Sequence, residues 1–191
     1  MKRMLLAKAW DNRFGCGLAI DLLKELKDEK HYQTFYTVLG LYKKKLVFVV
    51  RKLLQTMIQP DIAFAVDVGI AGDTPGVTSK EAQSKMGDGP QIILYDASVI
   101  GHTGLRDFVV DVADELQIPY QYDSVAGGGT DAGAIHIAVN GIPSMAITIA
   151  TRYIHSHASI LHVDDYENAV KLIVGFIKRF DKEAVHNITF N

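Results

Sequence analysis

At 191 residues, the chain is long enough for one domain with a sizeable core and short for two. It is 48% hydrophobic and 22% charged with a formal net charge of -2, a balance that excludes nucleic acid as the main partner because such binding needs a basic surface. The single cysteine, Cys16, excludes an internal disulfide and fits a reducing cytosol. Residues 1–10 carry basic side chains without a long apolar core, so no signal peptide is expected. No window reaches the roughly 20 apolar residues of a membrane span. The nearest, 38–54, is cut by Lys43-Lys44-Lys45 and again by Arg51-Lys52. A soluble cytoplasmic protein with no membrane partner is expected.

In chain order, Phe14, Leu18, Leu22 and Leu26 recur at four-residue spacing and predict an amphipathic helix that ends in Lys27-Asp28-Glu29-Lys30. Asp11 stands at its start, where it reads either as an N-cap or as a functional carboxylate. Residues 36–56 change character: 46–50 has the composition of a buried strand, yet three lysines precede it and Arg51-Lys52 follow. Residues 62–68 read as a strand interrupted only by Asp67. A carboxylate in so apolar a strand is costly unless it is paired, hydrogen-bonded or bound to a cation.

Asp73-Thr74-Pro75-Gly76 and Met86-Gly87-Asp88-Gly89-Pro90 are predicted turns. A strand follows over 91–95, a helix over 103–116 with Leu105, Val109, Val112 and Leu116 on one face, and a strand over 118–122. Gly127-Gly128-Gly129 allows close backbone approach and positive φ, and Thr130-Asp131 can cap the helix that follows. Residues 143–150 read as a fully buried strand after the turn Gly141-Ile142-Pro143, and 164–180 as the last helix. Strands alternating with helices predict an α/β fold: a mainly parallel, mixed sheet with helices on both faces, in one domain.

Two polar clusters flank the 143–150 strand: the glycine loop before it, and Arg152-Tyr153-Ile154-His155-Ser156-His157 after it. Ligands of open α/β sheets bind at the carboxyl ends of strands, where His155 falls. Gly127 to Ala132 matches the dinucleotide pattern ending in Ala, but Asp131 would put a negative charge where pyrophosphate binds, and no acidic residue follows about 20 positions on. No Gly-x-Ser-x-Gly elbow marks a serine hydrolase. Asp11, Asp67 and His155 are ligand types that divalent zinc, cobalt or manganese accept, and strand ends of a parallel sheet converge on one edge.

Five motifs in order resemble the glutamyl aminopeptidase and tetrahedral (deblocking) aminopeptidase family of dinuclear metallopeptidases. They are Ala7-Lys8-Ala9-Trp10-Asp11-Asn12-Arg13, Ala65-Val66-Asp67-Val68, Asp73-Thr74-Pro75-Gly76, Gly128-Gly129-Thr130-Asp131-Ala132-Gly133 and Arg152-Tyr153-Ile154-His155-Ser156. The resemblance implies a zinc-peptidase-like catalytic domain that hydrolyses the first peptide bond with two divalent ions, zinc or cobalt. It implies that Asp11 bridges the ions, that Asp67 ligates one and His155 the other. It further implies that Gly128, Gly129, Thr130 and Asp131, with Arg152, shape the peptide-substrate side, and that the protein forms homo-oligomers. The His155-Ser156-His157 ending resembles the glutamyl branch, which implies N-terminal Glu or Asp as the preferred residue.

Two departures accompany the resemblance. The family's N-terminal portion, with a further metal-ligating histidine, has no counterpart here, so the chain resembles a C-terminal half. The family's Glu-Glu pair, one general base and one ligand, is also missing; it would fall near Lys43, Lys44 and Lys45. Codons can be written for residues 38–55 that, read two bases later, spell Val-Gly-Thr-Val-Gln-Glu-Glu-Val-Gly-Phe-Arg-Gly-Ala-Lys-Thr-Ala-Ala. The expectation is an out-of-frame segment within 36–56, with the frame restored just before Met57; nucleotide codons incompatible with that reading would end it. Loss of a general base alone lowers a rate by about 10²–10⁴, so a poorly active chain is expected. A different class of reading is a non-catalytic α/β fragment that only associates with other subunits.

Overall fold

Successive side chains of a strand point to opposite faces of the sheet, so a strand buried on both faces feeds two packed layers. The structure, a computed structural model, describes residues 3–28 and 58–190. The basic stretch 36–56, with Lys43, Lys44 and Lys45 and the strand considered over 46–50, lies outside the described residues. The elements are β1 (Met4–Ala7), α1 (Trp10–Leu26), β2 (Ala63–Ile70), β3 (Gln91–Asp96), α2 (Thr103–Glu115), β4 (Gln121–Val125), α3 (Ala132–Ile135), β5 (Ser144–Arg152), β6 (Ser159–His162), α4 (Val163–Arg179) and α5 (Lys182–Phe190).

The sheet is mixed. Strand β5 lies at its centre, parallel to β2 along its length and antiparallel to β3 and β6 over short stretches. Strand β4 adds parallel to β3, and β1 adds antiparallel to β6. Phe64, Val66 and Val68 of β2, Ile92 of β3 and Met145, Ile147 and Ile149 of β5 pack in one cluster with α1, α2, α4 and α5. The intervening residues Ala65, Ile93 and Ala146 pack on the opposite face against Val99 and Ala132 of α3. The fold is thus the expected α/β architecture with helices on both faces. Its aromatic centre is Phe176, whose ring stacks on Phe64 at 4.5 Å and meets Phe180 edge-on at 5.7 Å. Among the described residues no helix is long and apolar enough to cross a membrane.

Several expected boundaries move for local reasons. The strand expected over 118–122 begins at Gln121, because 116–118 close helix α2 instead. Gln117 takes φ 54°, its N–H donates to Asp114 O at 3.1 Å, and Ile118 N–H reaches back to Ala113 O at 2.9 Å. That is a Schellman closure with glutamine in the position glycine usually takes. Strand β5 continues past Ala150 to Arg152, and the final long helix runs over Val163–Arg179. Its first turn carries Asp164 and Asp165 and its last Lys178 and Arg179, each at the end its dipole favours. The short strands β1 and β6 and the helix α5 were not expected from the pattern. Four residues offer too few alternations to reveal a strand.

Candidate functional site

Helix α1 does not begin as its sequence suggests. Asp11 and Asn12 have non-helical backbone angles, joined by a cis peptide bond, and the residue before the helix, Ala9, is left-handed at φ 56°. Asp11 is not the cap. Asn12 fills that role: its Oδ1 accepts from Gly15 N–H at 2.8 Å, while its Nδ2 donates to Val66 O at 2.7 Å. The second bond ties the start of α1 to the strand residue that precedes Asp67. With capping done by its neighbour, the Asp11 carboxylate is available to face His155.

That is where the structure takes it. Strand β5 ends at Arg152, and the chain turns through Tyr153 at φ 59° and His155 at φ 61°. Left-handed backbone at non-glycine residues is costly and tends to mark functional sites. The turn places His155 Nε2 at 3.0 Å from Asp11 Oδ2. Asp11 is nearly enclosed, with its side chain 13% exposed, whereas the His155 ring is 73% exposed. Asp67 sits on β2 beside Thr148 of β5, and its Oδ1 accepts from Val68 N–H at 2.9 Å.

An ion of the kind the family resemblance implies can be tested against these donors. Two donors bound to one tetrahedral zinc at about 2.0–2.1 Å stand roughly 3.3 Å apart. The Asp11–His155 separation of 3.0 Å is close to that edge. Among the described residues, however, no group of three His, Cys, Asp or Glu side chains is gathered closely enough to hold an ion. Asp11 and His155 therefore fit one edge of a coordination shell, and Asp67 does not complete it.

The glycine loop is held from below by a residue the sequence reading passed over. The Asp96 carboxylate, at the end of β3, accepts from Ser98 N–H, Ser98 Oγ and Val99 N–H on one oxygen. On the other it accepts from Thr130 N–H at 2.8 Å and Thr130 Oγ1 at 2.7 Å. Thr130 thus serves Asp96 and not the helix cap, and Asp131, the residue before α3, makes no side-chain capping bond. Nor do Gly127, Gly128 and Gly129 take positive φ. Close approach explains part of the run: a Cβ at Gly129 would stand 3.0 Å from Ser98 Oγ. Ala97 N–H donates to Gly128 O at 2.9 Å and completes the clamp. The reasoning that singled out Asp67, a carboxylate closing an apolar strand, applies equally to Asp96.

Burial pushes the Asp96 carboxyl up, but the bonds from Ser98 and Thr130 outweigh it and hold the group below the ordinary carboxylate value. A folded pKa below the unfolded one, about 3.9, adds stability above that pH and loses it as pH falls through the folded value. Asp96→Asn should therefore cost about 1.5–3 kcal/mol at pH 7, with the difference from the parent shrinking as the pH is lowered below 4. Chemical denaturation of both proteins across that range checks it; a pH-independent difference would contradict the role given to the charge.

Arg152 is occupied too. Its Nη2 donates to Asp73 Oδ2 at 2.5 Å, and each side chain is 24% exposed. Burial raises the Asp73 carboxyl, yet the hydrogen bond and charge of Arg152 bring it below its ordinary value.

Comparison with known proteins adds the following. A family model described as M42 glutamyl aminopeptidase matches residues 1–172. The glutamyl aminopeptidase of Lactococcus lactis subsp. cremoris is 35% identical over 185 residues, covering 96% of this chain and 50% of that protein. The TET aminopeptidase from the marine sediment archaeon Thaumarchaeota archaeon superposes with a TM-score of 0.89 at 40% identity, over 98% of this chain and 52% of that one. The TET1 peptidase of Pyrococcus horikoshii, which can assemble into a tetrahedron or a large octahedral shell, superposes with a TM-score of 0.74 at 28% identity over 93% of this chain. The chain spans about half the length of the relatives it matches.

Proposed function

The chain belongs to the M42 glutamyl aminopeptidase family, and from that premise we propose that it is part of a metal-dependent aminopeptidase releasing N-terminal residues, Glu or Asp preferred, from peptides. The observation that carries this reading is the 3.0 Å approach of His155 to Asp11, made by two separate segments with left-handed residues beside it. In this reading Asp11 would be shared by two ions, Asp67 would hold one and His155 the other. When bound, divalent zinc or cobalt supplies an activated water and polarises the scissile carbonyl. The chain's own contribution is orientation: Asn12 fixes Asp11 against β2, and the turn after β5 aims His155. Gly128, Gly129, Thr130 and Asp131, seated on Asp96, form the wall against which the peptide end lies.

The same proposal holds that this chain is impaired. It has Lys43, Lys44 and Lys45 where the family's Glu-Glu pair falls, so both a base and a ligand are missing. Like charge near an ion weakens its binding further. The Lactococcus relative's name supports the acidic preference, and the shell formed by the Pyrococcus peptidase supports a homo-oligomer. A cytoplasmic location accords with the single cysteine.

One observation favours a second reading, a non-catalytic α/β module that only associates with other subunits: among the described residues Asp11 and His155 gain no third ligand. Size-exclusion chromatography with metal analysis separates the two. With Co²⁺ in the column buffer, the aminopeptidase reading expects the ion in the protein peak above the baseline level, and no such excess for His155→Ala. The module reading expects an assembled, ion-free peak in both proteins.

A further inference from the structure

Strands β2 and β5 run in parallel register as far as Ile70 opposite Thr151, and Ala71 N–H extends the pairing to Thr151 O at 3.2 Å. Beyond that point the two chains separate. One enters the turns around 72–77; the other enters the turn that carries His155. The Asp73–Arg152 ion pair closes the gap at that fork.

Arg152 is the leading partner of the Asp73 carboxylate, with lesser help from the Met86 backbone. Asp73 Oδ1 and Arg152 Nε are buried and make no other hydrogen bond, so each charged group is held chiefly by the single contact between Oδ2 and Nη2. The other buried side-chain atoms without partners among the described residues, Thr74 Oγ1 and Ser84 Oγ, belong to the same loop, whose base is fastened by Gly72 N–H to Ser84 O at 2.7 Å. With each side chain 24% exposed, a charge released from the pair can still reach water, so breaking it is felt locally more than by the whole fold. A guanidinium so engaged is poorly placed to meet a substrate. It stands three residues before His155, and Asp73 stands six after Asp67.

From this we infer that Arg152 is a positioning residue: paired with Asp73, it fixes the direction in which the turn after β5 leaves the sheet, and so sets His155 against Asp11. The inference rests on the aminopeptidase reading for its consequence and on the ion pair for its mechanism, and the two can be tested apart. In the full chain, Arg152→Met and Asp73→Asn should shift the NMR resonances of the His155 ring and of the 154–157 amides, with those at the centre of β5 and the melting temperature nearly unchanged. The exchanged pair, Asp73→Arg with Arg152→Asp, should bring them back toward the parent positions. Co²⁺ affinity, read by calorimetry on the same proteins, should fall about 10–100-fold in the single variants and recover in the exchanged pair.

Unmoved resonances over 154–157 in both single variants would overturn the inference. So would changes spread evenly over the sheet, which mark a general loss of stability. A parent chain that takes up no Co²⁺ at all would sink the aminopeptidase reading, and the NMR data would still decide the role of Arg152.

Discussion

Replacing residues 38–55 by the shifted reading, Val-Gly-Thr-Val-Gln-Glu-Glu-Val-Gly-Phe-Arg-Gly-Ala-Lys-Thr-Ala-Ala, should tighten Co²⁺ binding by at least about 10–100-fold. The expectation rests on charge. The family resemblance gives one glutamate of the pair to an ion and the other to the reacting water, where the present chain offers three lysines. A carboxylate attracts a divalent cation where an ammonium repels it. The same replacement with glutamines in place of both glutamates removes the lysines without adding acid, and should recover only part of the gain. Calorimetric titration of the three proteins checks the order; equal affinities would show that this stretch has no bearing on the ions.

The second large effect concerns the fold. Phe176 is 2% exposed, stacks on Phe64 and meets Phe180 edge-on, and Phe180 in turn stacks on Phe108 of α2 at 4.6 Å. The cluster joins β2, α2 and α4, so its loss loosens the helical layer from the strand that carries Asp67. Phe176→Ala should cost about 3–5 kcal/mol, the transfer term plus the cavity that a rigid surround leaves. In a chain of this size that lowers the melting temperature by roughly 6–20 °C. Calorimetric melting checks it; a drop of a degree or two would mean that the layer collapses to fill the space.

How far the sequence revealed this molecule depended on how long each pattern ran. Helix α4 was legible because its apolar residues recur over seventeen positions, and strand β5 because its apolar run follows a turn and stays unbroken. Strands β1 and β6 were not, since four residues give no period, and their pairing is decided by chain segments far apart in sequence. Ile118 was misread because Gln117 ends a helix in a conformation that glycine normally marks. At the site, Asp11 and His155 stood out by type and place, and the structure brings them together. The roles of their neighbours were hidden. Asn12 caps where Asp11 was expected to, Thr130 serves Asp96, and Arg152 answers Asp73 across 79 positions of sequence. Each of these is a side-chain choice between partners that no local pattern records.

Asp11 and His155 meet at 3.0 Å, and the proposal takes them as one edge of an ion site in a chain without a Glu-Glu pair. A calorimetric titration of the unaltered chain with Co²⁺ tests this most directly. The expected result is weak uptake that does not reach saturation at equimolar ion and disappears in His155→Ala. Two sites filled stoichiometrically would contradict it.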